Sequence, residues 1–340
     1  MYFSHKSHRN RKSRLFDYGL ILLNGGTLEL NRDHLETFAV ITEVQSFEKA
    51  ATLLNISRGA VSQRIKALEE SLSTVLLVRD QPVRPTVRGQ MLLRHVQALR
   101  LLEDATLGEL MPSSERAVIQ VALAVNADSL ATWFPSVLWS LLREQRMAVE
   151  VVADDQEHTL QRLARGEVMG CISTASSPAT GFDVRPLGCM EYRCYATRSF
   201  AAKHFPQGIN VRDALKAPAL LFNRKDSLHN DFLTNLLGFP VEKYIKHYLP
   251  ASMTLLDGVV EGVGYGLVPS MQVIHHPYKS ELVDIAPERP VLVSLYWHHW
   301  SSEPPHLKLI TALVTEKADG ALMPARTPGK ILSAQAFRAD

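Results

Sequence analysis

The chain has 340 residues, 46% hydrophobic and 21% charged, with a formal net charge of +2 at pH 7. That length suits two or three compact units, and the composition is globular with enough apolar residues for a real core. No run approaches the roughly 18 apolar residues of a spanning helix, so a helical membrane protein is excluded. The apolar segment 15–23 follows a basic start, but Asp17 interrupts it and Asn24-Gly25-Gly26 makes a poor cleavage site, so export is not expected. Cys171, Cys189 and Cys194 are odd in number and lack CxxC spacing. The expected setting is a reduced cytoplasm, with no disulfide framework, zinc site or cofactor.

Charge is unevenly placed. Residues 57–100 hold eight Lys or Arg (Arg58, Arg64, Lys66, Arg79, Arg84, Arg88, Arg94 and Arg100) against Glu69, Glu70 and Asp80. Residues 1–14 add five basic groups and no acid, while 111–340 has 22 basic and 23 acidic residues. A basic N-terminal segment on a near-neutral body points to a polyanion partner for that segment alone.

In chain order, residues 1–30 carry little periodic pattern and read as a disordered basic extension. Residues 31–87 are densely helical. Leu35, Phe38 and Ala39 form a first apolar stripe. Ser46 caps a second helix with Phe47, Ala50, Ala51 and Leu54 inward, and Ser57 caps a third with Val61, Ile65, Leu68 and Leu72 inward. Two short runs, 75–79 and 83–84, flank Asp80-Gln81-Pro82 as a hairpin or wing. Thr86 opens a helix to about Glu109, roughly 35 Å long at ~1.5 Å per residue. Residues 88–115 read as linker helix and hinge, with Met111-Pro112-Ser113-Ser114 as the breaker. Beyond it, strands at 118–124, 149–152, 168–173, 219–222, 267–268 and 291–296 alternate with helices. The helices run from Asp128-Ser129 to Leu142, around 160–163, near 255–260 and over 306–314. That alternation predicts an α/β unit over 116–318 with a largely parallel sheet, then a loose tail, 319–340.

Three short helices with a tight turn between the second and third are a helix-turn-helix signature. The third starts with small residues, Gly59 and Ala60, where a backbone must approach the major groove. Ser62, Gln63 and Lys66 lie on or beside its outer face, as hydroxyl, amide and cationic groups that read base edges. Arg58 and Lys66 reach guanine or phosphate; Arg79, Arg84 and Arg88 suit phosphate or minor-groove contact. A solvated three-helix bundle is the plain alternative, but cap, turn, wing, charge and following helix agree on DNA binding. In that following helix Leu92, Val96, Leu99 and Leu102 form an apolar stripe that needs a partner. A symmetric homodimer on a two-fold operator supplies one.

The run Ser46-Phe47-Glu48-Lys49-Ala50-Ala51, continued by Ser57-Arg58-Gly59-Ala60-Val61-Ser62-Gln63-Arg64-Ile65-Lys66-Ala67-Leu68-Glu69, resembles the N-terminal motif of LysR-type transcriptional regulators. The wing, Arg84-Pro85-Thr86 with Gly89, is similar to theirs. Over residues 31–318 the resemblance implies a winged helix-turn-helix on double-stranded operator DNA, with Ser46, Ser57 and Arg64 joining the candidate contacts. It also implies a linker helix that pairs two chains, a dimer of dimers, and a two-lobed α/β effector domain like a periplasmic binding protein. Work at promoters with RNA polymerase, rather than catalysis, follows from it. Ala124-Val125-Asn126-Ala127-Asp128-Ser129-Leu130-Ala131-Thr132-Trp133, Arg165-Gly166-Glu167-Val168-Met169-Gly170 and Leu295-Tyr296-Trp297-His298 resemble the ArgP/LysG branch. That branch senses basic amino acids and activates genes such as an amino-acid exporter.

For the effector, Ser129 is expected to cap a helix whose N–H groups hold a ligand carboxylate. Asp128, Asp155 and Asp226 are candidate partners for its cations, and Ser173 completes the candidate set. Asn223 and Met253 stand where the branch usually carries acids, so a different amino acid or metabolite is an open alternative, as is an architectural DNA-binding protein without an effector. Gly262-Val263-Gly264-Tyr265-Gly266 lacks nucleotide-loop spacing and reads as a helix-to-strand turn. His275-His276 and His298-His299 are adjacent pairs that poorly share one metal, and read as surface or core histidines. No hydrolase or phosphate-loop motif is present.

Overall fold

Three side-chain caps set the N-terminal helices. The Asn31 side chain accepts from His34 N–H and opens α1 (Arg32–Val44); Ser46 accepts from Lys49 N–H and opens α2 (Phe47–Leu53). Ser57 accepts from Ala60 N–H and opens α3 (Arg58–Ser71). Each cap satisfies one of the donors that a helix start leaves orphaned. The expected stripes meet inside: Leu35, Phe38 and Ala39, then Ala50 and Ala51, then Val61, Ile65 and Leu68 are all buried. Ahead of these helices two strands, β1 (Leu22–Leu23) and β2 (Gly26–Thr27), pair antiparallel, where the sequence led us to expect no order.

The computed structural model describes residues 22–23, 26–27, 30–110, 118–144, 147–154, 156–225, 227–241 and 243–324. The chain divides into Met1–Val96 and Gln97–Asp340. The hinge residues 111–114 and most of the expected tail lie outside the described residues.

The wing consists of β3 (Leu77–Val78) and β4 (Arg84–Pro85), paired antiparallel. Glu69 of α3 holds its first strand in place: one carboxylate oxygen accepts from Leu76 N–H at 2.8 Å and Leu77 N–H at 3.3 Å, and the other faces Arg79 at 3.5 Å. Thr86 then begins the long helix α4 (Val87–Leu110), its hydroxyl accepting from Gly89 N–H and donating to Val75 C=O. Position 89 must be glycine for reasons of space, since a Cβ there would lie 2.2 Å from the Leu76 carbonyl oxygen.

The second unit is built on β5 (Ile119–Asn126), α5 (Ala127–Ala131), α6 (Pro135–Glu144), β6 (Met147–Asp154), α7 (Gln156–Ala164) and β7 (Gly170–Ser173). These make lobe I. The long strand β8 (Phe182–Thr197) leads into lobe II: α8 (Arg198–His204), α9 (Val211–Ala214), β9 (Ala219–Leu221), α10 (Leu228–Leu237), β10 (Lys246–Tyr248), α11 (Ser252–Val260), β11 (Tyr265–Pro269), α12 (Ser270–Ile274) and β12 (Leu282–Asp284). The chain returns through β13 (Val291–Trp300) and closes with α13 (Pro305–Ala321).

One sheet runs β10-β9-β11-β8-β13-β7-β5-β6, with β12 also paired to β8. It is mixed rather than largely parallel: β5 pairs β6 and β7 in parallel, and β9 pairs β10 and β11 in parallel, but β8 and β13 run antiparallel to each other and to β11, β12 and β7. Apolar runs mark strands without marking direction, which explains the difference. The single helix expected from Asp128 to Leu142 is two helices, because Pro135 fits the first position of α6 and has no N–H to continue α5. The glycine run from Gly262 is the turn between α11 and β11, as expected, with Gly262 at φ +69.

Removing the Glu69 acceptor leaves two partly buried N–H groups without a partner. Glu69→Ala should therefore cost ~1–3 kcal/mol per orphaned group. Hydrogen exchange should report it as faster exchange of the Leu76 and Leu77 amides with unit-2 strands unchanged. Glu69→Gln, which keeps an acceptor oxygen, should restore most of the protection, and unchanged exchange in Glu69→Ala would contradict this account of the wing.

Candidate functional site

In the N-terminal unit most of the predicted DNA contacts are solvent-accessible. Ser57, Arg58, Gly59, Gln63 and Lys66 of α3 are exposed, Ala60 and Ser62 are half-buried beside them, and Arg79, Arg84 and Arg88 are exposed on the wing and the start of α4. A notch of about 370 Å³ between the α1–α2 turn, α3 and the wing is lined by Ser46, Arg58, Ser62 and Arg79, with Glu48 on its wall. Arg58 Nε lies 2.9 Å from the Glu48 carboxylate. Both side chains are exposed, and solvent-screened surface pairs contribute little, so a phosphate can displace the glutamate at little cost. Arg79 is held by Glu69 and lies over the Phe47 ring.

Arg64 departs from expectation. It donates to Thr37 Oγ at 3.2 Å and to the Asp33 carboxylate at 3.3 Å, so this guanidinium ties α3 to α1 instead of facing out. Val96 departs as well: it is wholly buried within the single chain, so it cannot be an exposed seam residue. Leu92 and Leu99 are half-buried and Leu102 is 46% exposed. Exposed Val87 and Met91 fall on the same helical face as Leu102, which shifts the apolar stripe of α4 by part of a turn.

The effector unit holds a cavity of about 360 Å³ at the carboxyl ends of β5, β7, β9 and β11. Parallel strands of opposite wind leave such a crevice where their crossovers part. Lobe I contributes Asn126, Asp128 and Thr174; lobe II contributes Phe222, Asn223, Lys225, His229 and Ser252; Tyr192 of β8 and Val293 of β13 form part of the wall. Asp128 accepts from the Tyr192 hydroxyl at 2.6 Å and from the Ser252 hydroxyl at 2.5 Å. The carboxylate thus joins α5 to β8 and to α11. Two buried side chains on this wall keep polar atoms without a hydrogen-bond partner among the described residues, Asn126 Oδ1 and both ring nitrogens of His229.

Asp128 is the one expected effector residue that lines the cavity. Ser129 does not cap α5, because Asn126 occupies the N-cap position; Ser129 lies further along, fully buried, with its hydroxyl unpartnered and away from the cavity. Ser173 turns into its own loop, accepting from Ala175 N–H at 3.2 Å, and the next residue, Thr174, reaches the cavity instead. Asp155 and Asp226 lie outside the described residues. Met253 is half-exposed, and its sulfur accepts from Gln272 at 3.0 Å. Sequence reasoning missed Asn126, Tyr192, His229 and Ser252. Only Asn126 carried a signal, sitting within the quoted Ala124–Trp133 run. His298 and His299 are core histidines, as expected: His298 Nε2 lies 2.8 Å from the Ala175 carbonyl, and His299 Nδ1 lies 2.9 Å from the Glu303 carboxylate.

A winged helix-turn-helix followed by a two-lobed α/β unit with a cleft between its lobes is the build of a ligand-responsive transcriptional regulator. Residues 32–90 match the model of bacterial regulatory helix-turn-helix proteins of the lysR family, and residues 117–319 match the LysR substrate binding domain. The chain belongs to the LysR family of transcriptional regulators. It is 38% identical over 265 residues to the HTH-type transcriptional regulator ArgP of Photobacterium profundum, covering 78% of this chain and 89% of that one. Among solved structures it is similar to ArgP from Mycobacterium tuberculosis (32% identity, TM-score 0.80, covering 88% of this chain and all of that one). Full-length LysG from Corynebacterium glutamicum with bound effector Arg is similar too (32% identity, TM-score 0.74, covering 87% of this chain and all of that one).

Burial, reinforced by the nearby Lys246 charge, pushes the His229 imidazole down to about 3 from its ordinary 6.5. Between those values the unfolded chain binds a proton that the folded chain does not, so stability rises with pH there and is flat above. Without effector, wild type should lose up to ~1.4 kcal/mol per pH unit below pH ~6.5 relative to His229→Leu. Urea melts of both at pH 7.5, 6.0 and 5.0 check this, and a difference between them that does not vary with pH would contradict it.

Proposed function

We propose that the chain is a cytoplasmic, non-catalytic regulator that reads its operator through α3 and the wing and responds to a basic L-amino acid, lysine or arginine, bound between the lobes. It acts as a homodimer or dimer of dimers joined through α4, contacts RNA polymerase at its promoters, and controls genes of amino-acid export or metabolism. The observation that carries the effector reading is the Asp128 carboxylate on the wall of the interlobe cavity, an anionic partner for an ammonium whose burial alone would be costly. The arginine-bound LysG relative supports the same ligand class. Absence of any membrane-spanning helix among the described residues fits the location.

Two measurements test the reading. On the target promoter, Gln63→Ala or Lys66→Ala should lose about 1–3 kcal/mol of discrimination at a base, whereas Arg84→Ala should weaken all sequences alike and lower the salt slope by about one. Coincident footprints of Gln63→Ala and wild type at equal affinity would remove α3 from recognition. Calorimetric titration with lysine, arginine and histidine should give heat that is lost or much reduced in Asp128→Asn. Heat for a neutral amino acid alone would replace the basic effector while leaving the regulator reading intact.

A further inference from the structure

The two walls of the cavity carry opposite kinds of hydrogen-bonding group. On lobe I, Asn126 Oδ1 is an unpartnered acceptor on a side chain 3% exposed, and Asp128 adds its carboxylate. On lobe II, His229 in the first turn of α10 is 2% exposed with neither ring nitrogen partnered. Its ring is fixed by stacking on Tyr244, with centroids 5.7 Å apart, and by a tilted contact with Tyr265 at 5.2 Å. Buried polar atoms without partners are rare, and here they belong to two side chains that line the cavity. The imidazole stays neutral, so it offers one N–H donor and one acceptor nitrogen. The charges around it decide which is used. Lys225 lines the cavity and forms no ion pair among the described residues, and the Lys246 charge also acts on His229. Lys225 on the cavity lining and, near His229, Lys246, which donates to Asn230 and lies over the Tyr244 ring, make the lobe II side cationic and favour an anion there. Ser227 adds nothing, because its hydroxyl donates to Asp231.

We propose that His229 and Lys225 form a carboxylate subsite on the lobe II wall, opposite an ammonium subsite made by Asn126 and Asp128 on lobe I. An amino acid then bridges the lobes through its own zwitterionic head. This rests on the amino-acid reading above and reverses the orientation expected from the sequence, which put the carboxylate on the helix of Ser129. That helix, α5, has five residues, and its start already presents the Asp128 carboxylate.

The test is calorimetry on the full chain with L-arginine and with agmatine, the same molecule without its carboxylate. Wild type should prefer arginine by at least about tenfold, as expected for hydrogen bonds to a charged group. In His229→Phe and Lys225→Gln, arginine should weaken roughly 10- to 100-fold, toward agmatine, while agmatine stays within about threefold of its wild-type value. His229→Asn, which keeps an N–H donor, should recover part of the preference. Lys225 is exposed, so Lys225→Gln keeps the test decisive if a His229 variant fails to fold. Arginine and agmatine weakening together, or arginine unchanged in both variants, would overturn the subsite alone. Wild-type silence toward both arginine and lysine would overturn the effector reading and this subsite with it.

Discussion

β8 and β13 exchange backbone hydrogen bonds along the whole of β13, from Val291 opposite Tyr192 to Trp300 opposite Phe182, and both lobes of the effector unit hang on that ladder. The far half of β8 carries β11 and β12 of lobe II, and the far half of β13 carries β7 of lobe I. Buried backbone groups in a ladder have no alternative partners, so it resists piecemeal opening and fixes the spacing of the lobes. Its irregular point is a register shift at Leu295/Tyr296, near Gly188, whose φ of +128 suits glycine. A Cβ at Gly188 would also meet the Met323 carbonyl at 2.5 Å, so the segment just after α13 is packed against that same bend.

Given that frame, the cavity follows. The parallel strands on either side of the crossing pair end at one edge, and the carboxyl ends of β5, β7 and β9 bring Asn126, Thr174 and Phe222 together there. Asp128 is the polar link across the opening, accepting from hydroxyls on β8 and α11. That carboxylate is therefore a single group in contact with both lobes.

In the N-terminal unit, charged side chains divide between architecture and recognition. Glu69 is engaged by backbone N–H groups and Arg64 by α1, whereas Lys66, Arg84 and Arg88 remain exposed. A buried or half-buried charge must be matched by partners within the fold, so such groups hold elements together. An exposed one keeps its hydration and can exchange it for phosphate or a base edge. Arg64 thus belongs to the architecture, so not all of the basic excess of residues 57–100 is free for a partner.

The sequence alone determined the N-terminal helices, their caps and the wing, because these depend on near neighbours in the chain. It also determined the alternation of strands and helices and the glycine turn before β11. It missed β8, which pairing with β13 carries through Pro186 and Gly188. Strand direction and the burial of Val96 were likewise set by distant contacts. The cavity shows the same limit most clearly. Asp128 was legible from a local run, but His229, Tyr192 and Ser252 come from three separate elements that only the folded sheet brings to one wall, and no local spacing encodes that meeting.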